Sequence, residues 1–118
     1  MLFESASLKG KKLKNRIVFP PVLCFGWSKG GELSPYHLDH YEGVAKGGAG
    51  LIIIEAACVH PEGRLHESQL GIWSDEFIDG FAEAAKRSHR EGVPLLVQIH
   101  HGGIASILDK AVVPWDVD

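Results

Sequence analysis

Only two of the 118 residues are cysteine. Cys24 and Cys58 lie far apart and form no CxxC pair. That spacing supports neither a disulfide framework nor a zinc site, and the expected setting is a reducing cytoplasm. Long apolar runs are also missing: none approaches the roughly 20 residues that span a bilayer. The opening MLFESASLKGKKLK has no apolar segment behind its lysines, so it does not read as a signal peptide. There is no basic run, and the net charge is −3. Nucleic acid and an anionic membrane surface are therefore not expected as partners. Neither GxGxxG nor a P-loop occurs, and the scattered histidines show no HExxH or helical HxxxH spacing.

What is present is ordinary globular chemistry. Hydrophobic residues make up 45% and charged residues 23%, enough for one domain with a usable core. No internal repeat, low-complexity tract or linker interrupts the chain.

The pattern predicts β-α-β-α-β. Arg16-Ile17-Val18-Phe19 reads as a first strand whose exit is stiffened by Pro20-Pro21. A polar loop follows, and Ser34-Pro35 reads as a helix N-cap with proline at the first helical position. Leu38, Tyr41, Val44 and Ala45 recur at helical spacing as far as Gly47-Gly48. Leu51-Ile52-Ile53-Ile54 is a continuous apolar run, typical of a parallel strand covered on both faces. Ser74 caps a second helix over about Asp75–Glu91, with acids at its start and bases near its end. Leu95–His100 gives a third strand, expected to be buried. Ile104–Asp118 has weak helical content near Ser106–Ala111 and an apolar end at Val112–Trp115. A free three-stranded unit and a doubly wound domain remain open at this point.

Four fragments narrow the choice: LKNRIVFPP, HYEGVAKGGAGLIIIEA, EGRLHESQLGIWSDE and VQIHHGG. Their order and wording resemble the N-terminal part of the old yellow enzyme family, FMN-dependent NAD(P)H:acceptor oxidoreductases. The resemblance runs from about Leu2 to Gly103. It implies an α/β fold, a TIM (β/α)8 barrel, with residues 1–118 as the N-terminal part of a single FMN-binding domain. Such barrels take roughly 250 residues, so this chain covers about the first three βα units.

The resemblance also assigns residues. The turn Pro20-Pro21-Val22-Leu23 would lie against the flavin and bond it through its backbone, where rigid prolines hold donors still. Ala56 would let the ring approach the backbone. Gln98, inside the apolar strand, would bond the pyrimidine edge. A buried amide without a partner costs about 1–3 kcal/mol, so Gln98 calls for one; a neighbouring side chain or water is the alternative. One branch of the family places a redox-tuning cysteine two residues after the second proline. Ungapped alignment puts Leu23 there and Cys24 one beyond, and Cys24 as a small buried hydrophobe is the other reading.

Further residues carry weaker implications. His101 matches the recurrent histidine of the third strand's end; its usual arginine partner three residues later is Ile104 here. Trp27 and His101 join Cys24 as acceptor-pocket candidates. Arg64 matches a family arginine, with pairing to Glu55, Glu62 or a neighbouring loop as its structural role. Trp73 is expected to pack its loop. A metal site from His60, His100 and His101 has no supporting spacing, so none is expected. The family's proton-donating tyrosine comes from a later strand, so no catalytic residue is assigned.

The expected chemistry is hydride transfer. NADH or NADPH would reduce FMN, which would pass hydride to a small-molecule electron acceptor such as an activated alkene. The expected assembly is a homo-oligomer or association with the remainder of the barrel. The rival reading is a non-catalytic piece that binds no flavin by itself and needs a partner to complete the barrel.

Overall fold

The computed structural model describes residues 1–107. The expected apolar end at Val112–Trp115, and the helical content near Ser106–Ala111 beyond Ile107, lie outside the described residues. Ser106 itself follows a single 3-10 turn, Gly103–Ala105.

An antiparallel hairpin that the sequence reading did not foresee comes first. Strands β1 (Ala6–Leu8) and β2 (Lys11–Leu13) pair with Ala6 opposite Leu13 and Leu8 opposite Lys11. The two residues between them both have positive φ, Lys9 at 45° and Gly10 at 80°, as tight hairpin turns that match strand twist require.

Strand β3 is Val18–Phe19, shorter than the expected Arg16–Phe19. The Arg16 N–H is taken by the Leu2 carbonyl at 2.9 Å. Asn15 anchors the approach: its side chain donates to the Gly48 carbonyl at 2.7 Å and accepts the Ile17 N–H at 3.0 Å. Gly50 packs so closely on Asn15 that any side chain there would overlap it.

Helix α1 (Pro35–Lys46) opens on Ser34. Here His37 stands where capping boxes usually place Glu: its Nδ1 accepts the Ser34 N–H at 3.1 Å and lies 2.9 Å from the Ser34 Oγ. His37, Tyr41 and Ala45 are the helix's buried residues, one turn apart. The chain leaves through Gly48 at φ 100°.

Strands β4 (Leu51–Cys58) and β5 (Leu95–His100) follow the expected apolar runs. Between them, Asp75–Phe77 makes a 3-10 turn and Ile78–Arg90 forms α2. The three strands are parallel in the order β3-β4-β5, as their sequence order predicts. Arg87 ties the helices together, bonding Glu83 on α2 and both Asp39 and Glu42 on α1. Ile52, Ile54 and Ala57 of β4 join Tyr41, Ala45, Ala84 and Val93 in the core.

Two expectations about β5 need correction. It is not covered on both faces: Leu95 and Val97 pack on the core, while Leu96 is 46% and Ile99 72% exposed. Gln98 is exposed as well. The pairing also slips. Ile54 pairs with Val97 and Ala57 with Ile99, so Glu55 and Ala56 both stand opposite the single residue Gln98. This is a β-bulge, a device that bends a strand and re-aims its side chains.

Candidate functional site

The bulge lies near the carboxyl end of the parallel sheet, the end where α/β folds place their ligands. The sequence assigned the turn Pro20–Leu23, Ala56 and Gln98 to one site. Ala56 and Gln98 do meet across the bulge. Pro20–Leu23 leaves β3, which neighbours β4 in the sheet. Gln98 reaches no partner among the described residues, and it is exposed rather than enclosed, because nothing described covers that face of β5. Its need for a partner therefore does not arise from burial within this chain.

The turn itself is rich in unused donors. Pro20 and Pro21 have no N–H, and among the described residues the N–H groups of Val22 and Leu23 find no acceptor. Val22 is exposed and Leu23 half-buried. Open backbone donors on a proline-stiffened turn, a small side chain at Ala56 and a free amide at Gln98 suit a planar heterocycle with donors and acceptors along one edge. The residues present thus fit a flavin ring.

Beneath this surface lies a polar cluster that the sequence reading missed. Glu55 is 1% exposed. Its Oε2 accepts the Cys24 N–H at 2.9 Å, and its Oε1 accepts the Tyr41 hydroxyl at 3.2 Å. The Glu55 N–H donates back to the Tyr41 oxygen at 3.1 Å. His37 Nε2 sits 3.4 Å from Glu55 Oε1 without hydrogen-bond geometry. Burial lowers the His37 pKa below its ordinary value. Burial, then the Glu55 charge, pushes the Cys24 thiol up to about 12. The Tyr41 hydroxyl is raised too, chiefly by burial. Cys24 is half-buried with its thiol 3.6 Å from the Val22 carbonyl, and both cysteines are free thiols.

Other candidates scatter. Trp27 packs edge-on against His37 and His40, with ring centres 5.3 and 5.5 Å away, so it braces α1. His101 is exposed, just past β5, with its ring against Gly63. His100 ends β5, its Nδ1 3.2 Å from the Gln69 amide. Gln69, also unforeseen, donates to the Ala56 carbonyl at 3.0 Å and accepts the Leu65 N–H at 2.7 Å. Arg64 pairs with neither Glu55 nor Glu62. It bonds the Pro61 and Glu67 carbonyls of its own loop, and its guanidinium lies 5.4 Å over the Trp73 ring. Trp73 packs its loop through Phe77, 5.1 Å away edge-on. Among the described residues no group of His, Cys, Asp and Glu could hold a metal, and no helix is long and apolar enough to cross a membrane.

Comparison with known proteins gives this arrangement a context. The chain is 44% identical to the NADPH dehydrogenase of Bacillus pumilus over 98% of its own length and 36% of the relative's. It is 42% identical to that of Halalkalibacterium halodurans over 95% of the chain and 33% of the relative. It spans about a third of the length of these curated relatives. Among solved structures, an old yellow enzyme from a Pichia species superposes with a TM-score of 0.83 at 27% identity, covering 89% of this chain and 27% of that one. Morphinone reductase in complex with tetrahydroNAD gives 0.79 at 28% identity, over 89% and 28%. The three parallel strands are accordingly the first βα units of a TIM (β/α)8 barrel. The sequence profile of the NADH:flavin oxidoreductase / NADH oxidase family matches residues 1–114, and the chain belongs to that family.

Proposed function

We propose that this chain forms the first wall of the flavin site in an FMN-dependent NAD(P)H:acceptor oxidoreductase of old yellow enzyme type. Family membership implies FMN and NAD(P)H as cofactors. The observation that carries the reading is the bulge, which sets Ala56 and Glu55 against Gln98 beside a turn whose backbone donors find no acceptor among the described residues.

Each residue then has a task. Pro20 and Pro21 hold the Val22 and Leu23 N–H groups in place to meet the ring's polar edge. Ala56 leaves room for the ring plane. Gln98 offers its amide to the pyrimidine edge, satisfying both partners. Cys24, Trp27 and His101 are the candidates for the acceptor side. Bound FMN supplies the hydride chemistry, taken from NADH or NADPH and delivered to an electron-poor acceptor such as an activated alkene. The phosphate grip in this fold belongs to loops after strands seven and eight, so retention of FMN depends on the rest of the barrel. A homo-oligomer, or association with the remainder of the barrel, is the assembly we expect, in a cytoplasmic setting.

A second reading has its own support. The exposed apolar residues Leu96 and Ile99 on β5 favour a piece that holds no flavin until a partner covers that strand. The visible spectrum of the purified protein, read with its native mass, separates the two. Flavin absorption bands with a mass well above one chain support the assembled enzyme. A colourless species refutes it for this chain alone.

A further inference from the structure

The family reading leaves the buried carboxylate at the bulge without a task. Glu55 is nearly solvent-free, and burying a charge is costly unless it is well bonded. Both of its oxygens accept, one from the Tyr41 hydroxyl and one from the Cys24 N–H, the pattern of an ionised carboxylate. The Tyr41 bond is local to α1 and β4. The Cys24 bond is different, because it reaches into the loop beyond β3 and captures a backbone donor next to two that find no acceptor among the described residues, Val22 and Leu23. Glu55 is one of the two residues of the bulge.

We propose that Glu55 is a positioning residue: from beneath the turn it holds the Cys24 N–H and so fixes how Val22 and Leu23 present their free donors toward the cofactor side. The cofactor side is that of the function proposed above, and the inference rests on it for its meaning but not for its test. Tyr41 is the brace. It receives the Glu55 N–H and returns its own proton to Oε1, so the carboxylate cannot swing away from Cys24. The groups that bear on the carboxylate are Cys24 from the loop and His37 and Tyr41 from α1, with Glu32 and His40 acting on His37. A corollary concerns the thiol. It lies beside the same carboxylate and stays protonated at neutral pH, so Cys24 shows its surroundings a weak donor in place of an anion.

The test needs no flavin, so failure of the flavin reading and failure of this one are distinguishable. In the full chain, residue-resolved amide exchange should show Cys24 protected while Val22 and Leu23, in the same turn, exchange freely. Cys24 exchanging as fast as its neighbours would overturn the proposal. Glu55→Gln keeps an oxygen for the Cys24 N–H and removes the charge. Alkylation of Cys24 near pH 9, read by peptide mass, should then rise, because the Glu55 charge is one of the causes that push the thiol up after burial, with Cys24 exchange still slow. Glu55→Asp, one methylene short, should release the amide. An unchanged alkylation rate in a folded Glu55→Gln chain overturns the corollary, and a folded Glu55→Asp chain in which Cys24 exchange stays slow overturns the proposal. Should that variant fail to fold, the exchange contrast in the unaltered chain decides alone.

Discussion

The N–H of Gly71 donates to the carbonyl of Gly31 across 2.8 Å. This bond joins the loop after β3 to the loop after β4, and the Trp73 ring lies against both glycines. A methyl at Gly71 would overlap the ring, and Gly31 also has φ 112°, a region that favours glycine. Gly71→Ala is expected to destabilise by about 1–3 kcal/mol, the usual cost of overpacking, and Gly31→Ala by at least as much. Denaturant unfolding followed by tryptophan fluorescence reads both; full native stability in either would show that Trp73 can move aside.

Removing the Tyr41 hydroxyl strands the Glu55 N–H and one carboxylate oxygen inside the fold. Tyr41→Phe should cost about 1–3 kcal/mol, the price of a buried unsatisfied group. Tyr36, exposed on the same helix, is the control, and Tyr36→Phe should change nothing measurable in the same thermal melts.

Acid should weaken the fold before it titrates the surface carboxylates. Burial holds His37 below its ordinary value of 6.5. Once unfolded, the imidazole regains that value, so in mild acid the unfolded chain binds a proton that the folded chain refuses. Stability from this group is complete above pH 6.5 and falls as the pH drops below it. Glu42 and Glu83, both held below their ordinary 4.5, act only in stronger acid. Melting temperatures recorded from about pH 7 to pH 5 should fall, and His37→Gln should flatten the slope. An identical slope in the variant would move the cause elsewhere.

In a complete barrel carrying this chain, Gln98→Ala should leave one flavin amide group unpaired at a cost of about 1–3 kcal/mol. Fluorescence titration with FMN should show roughly a fivefold to 150-fold loss of affinity, at tenfold per 1.4 kcal/mol. Unchanged affinity would remove Gln98 from the site. The 118-residue chain alone is expected to retain little FMN through gel filtration.

The sequence made the parallel strands and both helices legible because their signals are local: Leu51–Ile54 is a continuous apolar run, and Ser34-Pro35 and Ser74 mark helix starts. The hairpin Ala6–Leu13 escaped because lysines fill it; only Gly10, after a lysine with positive φ, hints at its turn. The Glu55–Tyr41–His37 cluster escaped for another reason. Its members lie 14 or more positions apart along the chain at the Glu55 end, and their contact exists only once α1 docks on β4. A signal was present: a glutamate inside IIIEAA must find donors if the strand is buried, and His37 and Tyr41 sit one turn apart on α1. The burial of Gln98 was misjudged because an apolar run was taken for a buried strand, whereas one face of β5 is open among the described residues.

Strand β4 changes parity halfway along. Up to Ile54 its even-numbered residues join the core, and after the bulge Ala57, an odd one, does. A bracket in a line of text is the useful comparison: the bulge absorbs the extra residue, and beyond it the pairing resumes in phase while the odd and even numbers have traded places. Deleting either Glu55 or Ala56 would restore a regular ladder in which Ala57 stands two places beyond Ile54, still on the core side and still opposite Ile99. The inserted position thus leaves the facing of the distal strand alone, and what it adds is a second residue beside Gln98, so that Glu55 and Ala56 stand there together.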